Sequence, residues 1–221
     1  MNVLAQLFLQ NKKVNLTLMF LSIYCFGLLL FRAKITNSIY LFFLVWNLVL
    51  AVIPYLITTY LSVHNLQRKI TYVLLLVWLL FIPNSFYIIT DLVHVVRSEA
   101  HLFYFDLLLI CSFAVSGFLL GILSLQSVET ILRKTFQNHR FTKFIIPMIC
   151  FLNGFGIYIG RELRFNSWDI ISNPIHLMET IYGELFSTAT IVFSLHFGTF
   201  IYLAFLVFKN ITSFSHDKAT I

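Results

Sequence analysis

Asp91 and His94 stand three residues apart in IPNSFYIITDLVHVV, residues 82–96, and His176 and Glu179 repeat that spacing late in the chain. On a helix, a carboxylate and an imidazole at this step share a face. There the ring can carry a proton while the carboxylate orients it. The same four side chains form a mixed His/carboxylate set of the kind that holds Zn²⁺ or another divalent metal. A divalent metal is the one cofactor these residue types suggest. No HExxH or CxxC pattern accompanies them, and His101 and Asp106 are further ligands nearby in sequence.

A polar stripe surrounds the first pair. Pro83 removes one backbone hydrogen bond and presses on the carbonyl of Leu79, so a kink is expected there. If the α-helix continues beyond it, Asn84, Tyr87, Asp91, His94, Ser98 and His101 follow at steps of three and four and share one face. Asn84 and Tyr87 are then substrate-binding candidates, or Asn84 simply satisfies carbonyls freed by the proline.

Around the second pair, GFGIYIGRELRFNSWDIISNP, residues 154–174, supplies Arg161 and Arg164, on one face if the helix persists. Guanidinium forks suit phosphate and carboxylate groups, which points to a lipid headgroup or another anion. An ion pair with Glu162, Asp91 or Asp169 is the plainer alternative. Asn166, Trp168 and Asp169 complete the binding candidates. Asn166 or Ser167 would cap a short helix carrying Trp168 at the membrane interface.

The elements that must position these residues are set by composition. Of 221 residues, 59% are apolar and 11% charged, whereas about a quarter of an average soluble chain is charged. The excess apolar surface belongs in lipid, so the bilayer is the first expected partner. Six stretches, at about 14–31, 37–61, 70–90, 104–126, 142–160 and 185–208, each approach the roughly 20 residues that cross a bilayer as a helix. They are too long for barrel strands. The expected fold is all-α, a polytopic transmembrane helical bundle of about six spans forming a single integral-membrane domain over residues 1–221.

The net charge of +6 is spread in short clusters between apolar runs. That pattern sets membrane orientation and argues against nucleic acid. With the N-terminus inside, Lys12, Lys13, Arg68, Lys69, Arg133, Lys134, Arg140, Lys143, Lys209 and Lys218 are cytoplasmic, and Arg32, Lys34, Arg97, Arg161 and Arg164 are not. Ten against five predicts both termini in the cytoplasm. The first span is read as retained, since no small-residue cleavage site follows it. Cys25, Cys111 and Cys150 all lie in apolar runs and match no metal or redox motif.

Three polar residues lie deeper: Asn47 in span two, Asn153 in span five and His196 in span six. They could line a path for a small solute or ion, or make interhelical hydrogen bonds. Gly154, Gly156 and Gly160, with Ser112, Ser116, Gly117 and Gly121 on span four, are expected to pack helices closely. Three readings follow: an enzyme at the outer membrane boundary acting on a lipid-linked or headgroup substrate, a small-solute or ion permease, and a non-catalytic envelope assembly or scaffolding protein. The protein partner of the last is unknown.

PNSFYIITDLVH and IYIGRELRFNSWDIISNP, with WNLVLAVIPY and FDLLLICSFAVSGFLLGILSL, resemble a bacterial integral-membrane family catalogued as domain of unknown function 1361. The resemblance covers roughly residues 40–175. It implies a multi-pass protein of the bacterial cytoplasmic membrane and carries no reaction, cofactor or catalytic residue with it.

Overall fold

The structure, a computed structural model, describes residues 6–7, 9, 11–64, 66–136, 139–165 and 169–219. Six helices are long and apolar enough to cross a membrane, and no strand occurs among the described residues. The chain is a multi-pass membrane protein. Helix α1 spans Lys12–Thr36. A 3₁₀ turn, Tyr40–Phe42, leads into α2, Phe43–Val63. Helix α3, Arg68–Tyr87, runs on into a 3₁₀ helix over Ile88–Arg97. A short 3₁₀ turn, Ala100–Leu102, then opens α4, Phe103–Phe136. Helix α5 is His139–Arg161, α6 Asp169–Ser172, α7 Pro174–Glu184 and α8 Thr188–Ala219.

The apolar runs fold as helices because each helix satisfies its own backbone in lipid. Their hydroxyls follow suit: Thr17, Ser22, Ser62, Ser112 and Ser116 each donate to the carbonyl four residues earlier. Much of the apolar surface is left outside. Phe20, Leu30 and Phe144 are 63%, 61% and 80% exposed, the expected state of side chains whose solvent is hydrocarbon. Asn37 ends α1 with φ 49°, a left-handed cap that asparagine tolerates.

The chain forms two compact units, Met1–Gly121 and Ile122–Ile221, with the boundary inside α4. In the first, α2 packs along α3, and α4 meets α3 through two glycines. A Cβ on Gly117 would come within 2.8 Å of the Ser85 carbonyl oxygen and 2.7 Å of Ile88 Cδ1. One on Gly121 would sit 2.6 Å from the Phe86 ring. In the second, α5 packs along α8, where a Cβ on Gly154 would stand 2.4 Å from the Ser194 carbonyl and one on Gly198 2.8 Å from Phe151 Cα. The packing role expected of Gly117, Gly121 and Gly154 holds. Gly198 is the counterpart on α8.

Candidate functional site

The α-helical part of α3 runs through Pro83 and ends at Tyr87, not beyond His101. From Ile88 the chain is 3₁₀-helical for ten residues, an unusual length for a geometry normally used in runs of three or four. With three residues per turn, Ile88, Asp91, His94 and Arg97 stack on one line. The six-residue stripe expected of an α-helix therefore breaks up. Asn84 donates to the Phe81 carbonyl at 2.9 Å, the local role anticipated beside a proline. Tyr87 is half-buried, and its carbonyl accepts from the Thr90 hydroxyl. Ser98 ends the 3₁₀ helix in an extended conformation. His101 lies on the next turn, against exposed Glu99.

The line that remains meets the start of α2. Asp91 is 1% exposed, and Asn47 Nδ2 donates to its Oδ2 at 2.7 Å. A buried carboxylate keeps its charge only with such donors. Nδ1 of His94 lies 2.9 Å from the Tyr40 hydroxyl, and the imidazole packs edge-on against Phe43. Its other nitrogen, Nε2, is 4.0 Å from Asp91 Oδ1, too far for a hydrogen bond and close enough for charge to act. Arg97 Nη1 donates to the Tyr40 oxygen at 3.4 Å. Since arginine can only donate, this contact favours Tyr40 donating its own proton to Nδ1. The neutral ring then carries its proton on Nε2, toward Asp91.

A second buried pair closes the same end of this unit. Arg32, in the last turns of α1, grips Asp106 in the first turn of α4, with Nε to Oδ1 at 2.8 Å and Nη2 to Oδ2 at 3.1 Å. The residues are 8% and 1% exposed. Asp106, a further metal ligand by sequence, is thus committed to a guanidinium fork. Tyr40, Arg97 and the pairing of Arg32 with Asp106 are what sequence reasoning missed. The available signal was opposite charge at the ends of two apolar spans, where a lone charge is costly.

The second motif lies in the other unit. Helix α5 ends at Arg161, and Arg164 adopts φ 60°, so the two arginines do not share a helical face. Asp169 accepts the Ser172 hydroxyl at 3.0 Å. Exposed His176 pairs with Thr180 of its own helix at 3.1 Å and sets its ring against Phe165. Glu179 is exposed. Asn166 and Trp168 lie outside the described residues.

Asn153 is fully buried and donates to the Ile149 carbonyl at 2.8 Å. His196 is exposed, with Nδ1 donating to Val192 of its own helix at 2.7 Å. Within each unit, no three His, Cys, Asp or Glu side chains among the described residues gather as a ligand group for a metal ion.

A family model described as a protein of unknown function (DUF1361) matches residues 46–204, well over half of the chain. Neither curated proteins nor solved structures gave a match.

Proposed function

Because the chain belongs to the DUF1361 family, whose description assigns no reaction, we propose its role from its own side chains: proton transfer at a membrane–water boundary on a lipid-linked or anionic headgroup substrate. The observation that carries the reading is the cross-helix constellation of Tyr40, Asn47, Asp91, His94 and Arg97 at the end of a membrane-spanning helix. With its own proton on Nε2, the His94 ring takes a further proton at Nδ1, passed on by the Tyr40 hydroxyl that donates to it, and returns it by the same route. Asp91, 4.0 Å from Nε2 and held by Asn47, stabilises the imidazolium form. Tyr40 fixes the ring from the opposite nitrogen. Arg97, exposed beside it, supplies the cation for a phosphate or carboxylate. Ionisable groups at membrane depth tend to be functional, which supports weighing Asp91 this way.

The excess of Lys and Arg at the ends shared with the termini supports cytoplasmic termini and an outward-facing site. In the second unit, Arg161, Arg164 and Asp169 are candidates for holding an anion of their own. A bacterial cytoplasmic membrane is the proposed location.

A soluble headgroup analogue tests the site without the lipid tail. Detergent-solubilised protein with ¹⁵N-labelled imidazoles is titrated with glycerol 3-phosphate, and the His94 signals are assigned through His94→Ala. We expect saturable shifts at His94. Arg97→Gln should weaken the apparent affinity by about tenfold, as loss of a charge-assisted contact does. His94 signals that stay put at millimolar analogue, while other histidines respond equally in wild type and Arg97→Gln, would sink the reading.

A further inference from the structure

The first unit carries a second feature, at its opposite end, that the polar site does not use. Between α1, α2 and α4 lies a cleft of about 410 Å³, open on one side and walled chiefly by apolar side chains, among them Val52, Leu56 and Leu120. This is within the roughly 300–1,000 Å³ of ligand pockets. Its long axis follows the helices. On α1 the lining runs from Asn15 to Ser22, roughly 10 Å at 1.5 Å per residue. At one end the Tyr55 hydroxyl donates to Asn15 Oδ1 at 2.7 Å.

The charges beyond that end are all of one sign. Lys12 and Lys13 lie within a turn of Asn15. Arg68 and Lys69 open α3 just after α2 returns to this level, and all four are exposed. Every acidic residue of this unit (Asp91, Glu99 and Asp106) belongs to the other end, near the start of α2 and α4. A narrow apolar slot parallel to membrane-spanning helices, with four exposed cations and no acidic residue of this unit at the same end, matches one kind of molecule. Water would face apolar walls there and lose its hydrogen bonds, and an empty slot would forfeit dispersion contacts.

We propose that this cleft is a binding site for an anionic membrane lipid, with one acyl chain lying between α1, α2 and α4 and the headgroup held over Lys12, Lys13, Arg68 and Lys69. The site is independent of the constellation at Asp91, and the two fail separately. The lipid here is resident, one per chain, and distinguished by headgroup charge.

Delipidated full-length protein is incubated with phosphatidylglycerol or phosphatidylcholine and examined by native mass spectrometry. One phosphatidylglycerol should be retained per chain, in clear preference to phosphatidylcholine. Lys12→Ala with Lys13→Ala should lower that preference by about tenfold or more, since each cation near the surface contributes about fivefold. Val52→Phe, which fills the slot, should abolish stoichiometric retention of either lipid. Should Val52→Phe fail to fold, judged by helical circular dichroism, Leu56→Trp at the open edge serves instead, and Phe20→Trp on the outer face of α1 is the control that changes nothing. Equal retention of both lipids, unchanged by the filling variant, overturns the proposal. So does a two-chain species that the filling variant dissociates, because it assigns the cleft to a second copy of the chain.

Discussion

The molecule contains two carboxylate–histidine pairs at the same spacing, and their surroundings differ in kind. Asp91 and His94 ride on a 3₁₀ helix, where residues three apart stand directly above one another. Each is met by a side chain from the Tyr40–Asn47 segment. His176 and Glu179 ride on α7, exposed, and the histidine's partners are Thr180 of the same helix and Phe165 just after α5. Spacing chooses a face. Whether that face becomes a site depends on a second element arriving opposite it with matching donors. In the first pair a buried carboxylate is tied across helices, while in the second both residues are exposed and the histidine bonds within its own helix.

The contrast can be broken first where the cross-helix pairing is most buried. Asp106→Ala leaves the Arg32 guanidinium without its carboxylate in a site where both groups are nine-tenths buried or more. Removing one partner of such a pair costs about 3–5 kcal/mol, because the remaining charge is uncompensated. We expect a large fall in the midpoint of thermal or denaturant unfolding in detergent. Arg32→Met combined with Asp106→Leu should recover most of it, since an apolar pair of similar size requires no compensation. A loss under about 1 kcal/mol for Asp106→Ala would mean that the guanidinium reaches water, and the buried character of this end would fall with it.

The next effect sets the two pairs side by side. Asp91→Ala strips Asn47 of a charged acceptor in a buried setting and should cost about 1.5–3 kcal/mol. Glu179→Ala, on an exposed helix face, should stay within about 0.5 kcal/mol. Equal losses from both variants would erase the distinction drawn between the regions.

Most of the fold was legible because the bilayer imposes it. Each apolar stretch had to be a helix, and all six long helices follow from hydropathy and length. The expected span of about 104–126 becomes Phe103–Phe136, since a helix need not stop where the lipid does. The 3₁₀ helix after Tyr87 was not legible. Polar residues at steps of three and four fit an α-helical period, and no side chain between Ile88 and Arg97 signals tighter winding. Within the site, Asp91 and His94 drew notice as ionisable groups beside an apolar run. Tyr40 and Arg32 did not, because their partners lie 54 and 74 residues away and pairing over that distance is fixed by helix packing. The fate of the two arginines turned on where α5 ends, the kind of boundary a sequence places least well.

Arg164 offers the smallest and most discriminating test of the second region. It is a long, β-unbranched side chain held at φ 60°, a conformation costing a non-glycine residue roughly 1–2 kcal/mol. Asn37 occupies the same backbone region at the end of α1 with a residue suited to it. Glycine at 164 would remove the steric cost and give back roughly 0.5–1 kcal/mol through its freer unfolded chain. The net expectation for Arg164→Gly is a stabilisation of about 0.5 kcal/mol, read as a small rise in the unfolding midpoint. Arg164→Asn should behave alike, because it keeps the left-handed turn and discards only the guanidinium. If both variants instead lower stability by more than about 0.5 kcal/mol, the guanidinium itself holds the segment after α5 in place. If both raise stability yet weaken glycerol 3-phosphate binding, the strain is being held for the sake of a ligand, as strained backbone at binding sites often is. That outcome would make the exposed region an anion site in its own right and narrow the difference between the two pairs to one of burial alone.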